Sequence, residues 1–133
     1  MRTPAGILRD AKTIALVGAS PNPDRPSHGV MRYLLAQGYD VIPVRPAGCD
    51  EVLGVPCVRS LAEIDRPIDL VDVFRRSEET PPHALEAVEA GAGALWLQLG
   101  IVSAESRRIA EEAGLDYVED QCTAVVHGTE IRG

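Results

Sequence analysis

The side chains best suited to chemistry in this chain are arginines that follow short apolar runs. Arg25 lies in the segment Gly18-Ala-Ser-Pro-Asn-Pro-Asp-Arg-Pro-Ser-His-Gly29, Arg45 follows Tyr39–Val44, and Arg75 and Arg76 follow Ile68–Phe74. A guanidinium is a planar fork of donors that can hold two oxygens of one phosphate or carboxylate. Gly18 lets the backbone turn without a Cβ clash. Ser27 reads as the N-cap of a helix carrying Val30, Met31, Leu34 and Leu35. Free N–H groups and the helix dipole at such a start attract anions. The chemistry this implies is anion binding. The loop is not the G-x-G-x-x-G fingerprint, because the glycine after Gly18 is Gly29. A bare strand-to-helix connector also carries Gly and Ser, and surface arginines also pair with carboxylates such as Glu78 and Glu79.

Other reactive side chains are sparse. His28, next to Ser27, is placed either to meet a phosphate or to stand in solvent. Cys122 falls near a possible helix start, which can lower a thiol's pKa; a mixed disulfide with a ligand thiol is the chemistry it would offer, against a plain packing role. His127 lies five residues further on, roughly 140° around an ideal helix, so the two do not read as a nucleophile–base pair. Trp96 reads as core and His83 as exposed. Asp69 and Asp72 flank a strand without forming a general acid/base pair.

The elements that position these residues follow from periodicity. Thr3 and Pro4 open a short helix ending near Asp10. Strands are expected at Thr13–Val17, Tyr39–Val44, Ile68–Phe74, Ala94–Leu97 and Leu115–Val118, with a brief one at Cys57-Val58. Helices are expected from Ser27 to a stop at Gly38, from Thr80 to Ala90, and from Ser103 to Ala113. Ser60-Leu-Ala-Glu63 has capping-box spacing for a short helix, and a last helical turn is expected after Asp120. Strands alternating with helices imply βαβ units, hence a doubly wound α/β domain with a five-stranded parallel sheet and helices on both faces. Long loops at 18–27 and 45–58 are candidates for function.

At 133 residues the chain is expected to be one domain, 1–133. Its net charge of −7 argues against nucleic acid or an acidic membrane as a partner. No apolar stretch at the start suggests a secretion signal, so a cytoplasmic protein is expected. Three cysteines, Cys49, Cys57 and Cys122, have no metal-type spacing, and their odd number argues against a disulfide framework. No metal site is expected.

In a parallel sheet all strand C-termini share one edge, where ligands bind near the point at which strand order reverses. That edge collects Gly18, Ala19, Ser20 and Arg25 from the first strand and its loop. It adds Pro43, Val44 and Arg45 from the second, Phe74, Arg75 and Arg76 from the third, and Gln98 from the fourth. NAD sites usually carry an acid at the end of the second strand, whereas an arginine there suits an extra ribose phosphate. Arg45 therefore favours NADP or coenzyme A over NAD.

Gly18–Gly29, Val73-Phe-Arg-Arg-Ser-Glu-Glu79, Leu95-Trp-Leu-Gln-Leu-Gly100 and Asp120-Gln-Cys122, in that order, resemble the small stand-alone bacterial CoA-binding proteins. These are similar to the N-terminal nucleotide-binding domain of the succinyl-CoA synthetase α-subunit. The resemblance spans essentially the whole chain. It implies a Rossmann-like fold that binds coenzyme A or an acyl-CoA, with no reaction established and a protein partner possible. Gly18, Ala19, Ser20, Arg25 and Ser27 would hold phosphates, Pro43 and the residues after it would border the adenosine, and Phe74, Arg75 and Arg76 would line the same groove. Arg45 and Thr123 depart from the family's usual Asn and Pro. A small NADP-binding oxidoreductase, or a component of one, is the alternative, though the chain supplies neither a proton donor nor a substrate-positioning region for it.

Overall fold

The computed structural model describes residues 1–132. Helix α1 (Pro4–Asp10) starts where Thr3 Oγ1 accepts from the Gly6 amide. Strand β1 (Thr13–Val17) follows, buried along its whole length. Then come α2 (Pro26–Ala36), β2 (Asp40–Val44), the two-residue strands β3 (Glu51–Val52) and β4 (Val55–Pro56), β5 (Leu70–Val73), α3 (Thr80–Glu89), β6 (Ala94–Leu97), α4 (Ala104–Glu112), β7 (Asp116–Val118) and α5 (Thr123–Val126). A π-helical turn, His127–Arg132, extends α5.

The main sheet has five parallel strands in the order β2-β1-β5-β6-β7. The chain leaves β1 toward β2, then returns to place β5 on the other side. Strand order therefore reverses between β1 and β5, which opens a crevice at their C-terminal ends. The alternating pleat sends Ile14, Leu16, Leu70 and Trp96 to one face, where α1, α2 and α5 cover them with Ile7, Leu8, Met31, Leu34 and Val126. Ala15, Val17, Val71, Val73, Leu95 and Leu97 take the other face, under Ala84 and Ala87 of α3 and Ala110 of α4. Among the described residues no helix is long and apolar enough to cross a membrane.

Five local expectations need correction. Helix α2 starts one residue earlier than Ser27 suggested: Arg25 is its N-cap, Pro26 supplies the first-turn φ, and Ser27 is already helical and buried. The 45–58 loop folds as the β3–β4 hairpin, and Val58 makes only an isolated parallel bridge to Val44. That hairpin brings Cys49 and Cys57 to a Cα separation of 5.7 Å, and they form a disulfide. Pairing two of three cysteines leaves Cys122 free, so the odd count did not exclude a bridge. The capping-box segment is a single 3₁₀ turn, Leu61–Glu63, with Glu63 accepting from the Ser60 amide. His83 is buried rather than exposed, its Nδ1 3.0 Å from Glu86 Oε1.

Candidate functional site

The crevice at the switch point is a cleft of about 1240 Å³. Its floor is the turn after β1. Gly18 has φ +87, and a Cβ there would sit 2.2 Å from the Phe74 carbonyl oxygen. Only glycine lets the ends of β1 and β5 approach this closely. Phe74 N donates to Val17 O at 2.7 Å, locking the two strand ends together.

The turn presents fewer donors than its sequence suggested. The Gly18 and Ala19 amides both donate to Val44 O, at 3.0 and 3.3 Å, so they brace the sheet edge. The open donors lie one step further on. Neither the Ser20 amide nor the Ser27 amide has a partner among the described residues. The loop between them is held by its own bonds: Asn22 N to Ser20 Oγ at 3.1 Å, Asp24 N to Asn22 Oδ1 at 2.9 Å, and Arg25 N to Asn22 O at 3.1 Å. Pro26 has no N–H, so Ser27 supplies the leading amide of α2. Ser20 and Ser27 thus flank a preformed, electropositive concavity.

Arg25, Arg45, Arg75 and Arg76 all line the cleft, and among the described residues Glu78 is the one carboxylate residue lining it with them. In a chain of net charge −7 this is a local reversal of sign. The four are not equally available. Arg75 is tied to Glu79 through Nε and Nη2, each 3.1 Å from Oε2, and Arg76 reaches Oε1 of the same carboxylate at 3.4 Å. Arg25 and Arg45 form no ion pair among the described residues. An arriving anion would meet two unpaired guanidinium groups and two shared with Glu79.

Ser20, Ser27, Phe74 and Gln98 line the same cleft, with Gly18 and Ala19 at its base. Pro43, Val44 and His28 are not brought to it. Pro43 and Val44 are buried within β2, and Arg45, Pro46 and Ala47 form the wall there instead. His28 turns into the protein, with Nδ1 buried and unpartnered.

The far wall comes from the loops after β6 and β7. Leu99, Gly100, Ile101 and Cys122 line it. Gly100 N donates to Asp120 Oδ1 at 2.7 Å, Asp120 N donates to Ile101 O at 3.1 Å, and Trp96 Nε1 donates to Gln121 O at 2.7 Å. Cys122 is the N-cap of α5. His127 bonds Tyr33 Oη through Nδ1 at 2.9 Å, so it is committed elsewhere.

One residue below this wall was missed by sequence reading. Asp72 does not flank β5 but sits inside it, fully buried, with Gln98 and Thr123 bonded to its carboxylate. Burial pushes its pKa up to about 7, and those two hydrogen bonds pull the other way. An acid at an inward position of an otherwise apolar strand was the available signal. Among the described residues no group of three or more His, Cys, Asp or Glu side chains could hold a metal ion.

The chain is similar to proteins that share this architecture. It is 47% identical over 121 residues to the uncharacterised protein YneT of Bacillus subtilis (strain 168), covering 91% of this chain and 89% of that protein. A hypothetical protein from Pyrococcus horikoshii OT3 superposes with a TM-score of 0.90 at 40% identity, over 96% of this chain and 91% of that one. The Thermus thermophilus protein designated cell-free ID.343 gives a TM-score of 0.88 at 41% identity, over 93% of each chain. The sequence profile of the CoA binding domain matches residues 12–128. That match takes in every strand of the sheet and every wall of the cleft, and the chain belongs to the CoA binding domain family.

Proposed function

We propose that the protein binds coenzyme A, free or acylated, in the cleft at the β1–β5 switch point, and that alone it catalyses no reaction. The observation carrying this reading is the convergence of Arg25, Arg45, Arg75 and Arg76 with the open Ser20 and Ser27 amides in one cleft of an acidic protein. The phosphates lie against Ser20, Ser27 and Arg25. The adenosine lies toward Arg45, Pro46 and Ala47, and the pantetheine arm crosses β5 toward Gln98 and Cys122. Arg75 and Arg76 reach the ligand by exchanging Glu79 for a phosphate. The protein acts in the cytoplasm as a carrier, sensor or partner subunit.

A second reading has one observation in its favour. Arg45 at the end of β2, with no acid beside it in sequence, would equally suit the ribose phosphate of NADP. Thermal unfolding with CoA, 3′-dephospho-CoA, NADP and NAD separates the two. Ligand at 100 times its Kd adds about 2.7 kcal/mol of stability. CoA is expected to give the largest shift and dephospho-CoA a smaller one. A larger shift with NADP would replace the CoA reading, and no shift with any of them would refute both.

A further inference from the structure

Beneath the far wall of the cleft, Asp72, Gln98 and Thr123 form a closed ring of hydrogen bonds. Gln98 Nε2 donates to Asp72 Oδ1 at 2.6 Å and to Thr123 Oγ1 at 2.8 Å, and Thr123 Oγ1 donates to Asp72 Oδ2 at 3.0 Å. Ionised, as it is above about pH 7, the Asp72 carboxylate can only accept. The amide nitrogen of Gln98 must therefore face inward, and both its protons are used there. Its carbonyl oxygen, Oε1, has no partner among the described residues and is not among the fully buried unpartnered atoms. Gln98 lines the cleft, which is where an outward Oε1 would meet a ligand. The ring fixes which end of this amide the cleft sees.

Position adds the second part. Gln98 follows β6, two strands from the turn after β1 where the open amides lie. Neighbouring strands are about 4.8 Å apart, so roughly 10 Å separate an anion over β1 from Gln98. A phosphate alone cannot span that distance. A coenzyme A arm leaving the phosphates and running over β5 can, and it carries amide N–H donors. We propose that Gln98 Oε1 accepts a hydrogen bond from an amide N–H of the pantetheine arm, with Asp72 and Thr123 as positioning residues that keep the acceptor outward. This rests on reading the cleft as a coenzyme A site.

The test titrates the full chain calorimetrically at about pH 8.5, where Asp72 is ionised, with three ligands: CoA, adenosine 3′,5′-bisphosphate, which has no arm, and a CoA analogue whose arm amides are esters. The wild type is expected to bind the ester analogue about threefold to tenfold more weakly than CoA, the range of one net hydrogen bond. Gln98→Met should bind CoA and the ester analogue equally, with bisphosphate affinity unchanged. Thr123→Val, which removes one anchor of the amide, should shrink the preference for CoA over the ester, and Thr123→Ser should restore it. A wild type indifferent to the ester, or a Gln98→Met that keeps the preference, overturns the proposal while leaving coenzyme A binding intact. Because the wild-type comparison needs no variant, it decides the matter even if Gln98→Met fails to fold. A wild type that binds neither CoA nor the bisphosphate overturns the cofactor reading and this proposal with it.

Discussion

Gly18 and Phe74 meet so closely that a single methyl group cannot be added between them. The Cβ of any larger residue at 18 would lie 2.2 Å from the Phe74 carbonyl oxygen and 2.9 Å from its carbon. The obstruction is backbone, so no side-chain rotation relieves it. The contact holds the ends of β1 and β5 together where the cleft opens, tying sheet geometry to the shape of the site.

Gly18→Ala should therefore damage both stability and binding. The positive φ and the backbone clash each cost on the order of 1–3 kcal/mol. Denaturant unfolding is expected to show a loss of several kcal/mol with little change in slope. A loss below about 0.5 kcal/mol would mean that the strand ends relax apart freely.

Glu79 holds both Arg75 and Arg76, the two arginines that the proposed coenzyme A site would need to free. Arg75→Ala should weaken CoA binding by about 1.5–3 kcal/mol, the cost of one charge-assisted contact. Glu79→Gln should do the opposite and tighten binding severalfold, since its ion pairs are partly exposed and contribute little to stability. Calorimetry on both variants checks the signs. Unchanged affinity in Arg75→Ala would place that arginine outside the ligand's reach.

Asp72 gives stability a defined pH dependence. Its folded pKa, about 7, lies above the unfolded carboxylate value. The native state therefore holds a proton that the unfolded state has released between about pH 4 and pH 7. The contribution from Asp72 is fully present below pH 4 and is lost as pH rises through 7, a change of roughly 4 kcal/mol. Asp72→Asn removes this group's titration, so the stability of the wild type relative to Asp72→Asn should fall across that window. A difference independent of pH would show that Asp72 ionises in the native state as it does in the unfolded chain.

The Cys49–Cys57 bridge closes a short loop, with a sequence separation of 8. Constraining a loop of that length in the unfolded chain contributes about 2.5 kcal/mol. Unfolding with and without dithiothreitol should differ by that much or less, and Cys49→Ser should abolish the difference. An equal reductant effect in Cys49→Ser would assign it to some other group.

Much of the fold was legible because its signals are local. Apolar runs, Pro4, Ser103 and the glycines at 38, 91 and 114 punctuate the chain where the elements end, and strand alternation implies the parallel sheet. The edge grouping of arginines was legible for the same reason, since a parallel sheet sends every strand end to one side. The remainder depended on pairing across the chain. Periodicity cannot show that Val44 O takes the Gly18 and Ala19 amides. It cannot show that Glu79 holds two arginines, or that a hairpin joins Cys49 to Cys57. Asp72 was passed over because it stands beside Val71 and Val73 in an apolar strand, and only the tertiary contact with Gln98 and Thr123 gives it a role.

The most direct test of the cofactor reading is to follow backbone amide resonances of the protein while CoA is added. The Ser20, Ser27 and Gly100 amides should move together and saturate with one Kd, while those of Lys12, Gln37 and Tyr39, which line a groove at the opposite edge of the sheet, stay still. Shifts confined to that opposite groove, or none at Ser20 and Ser27 at saturating CoA, would contradict it.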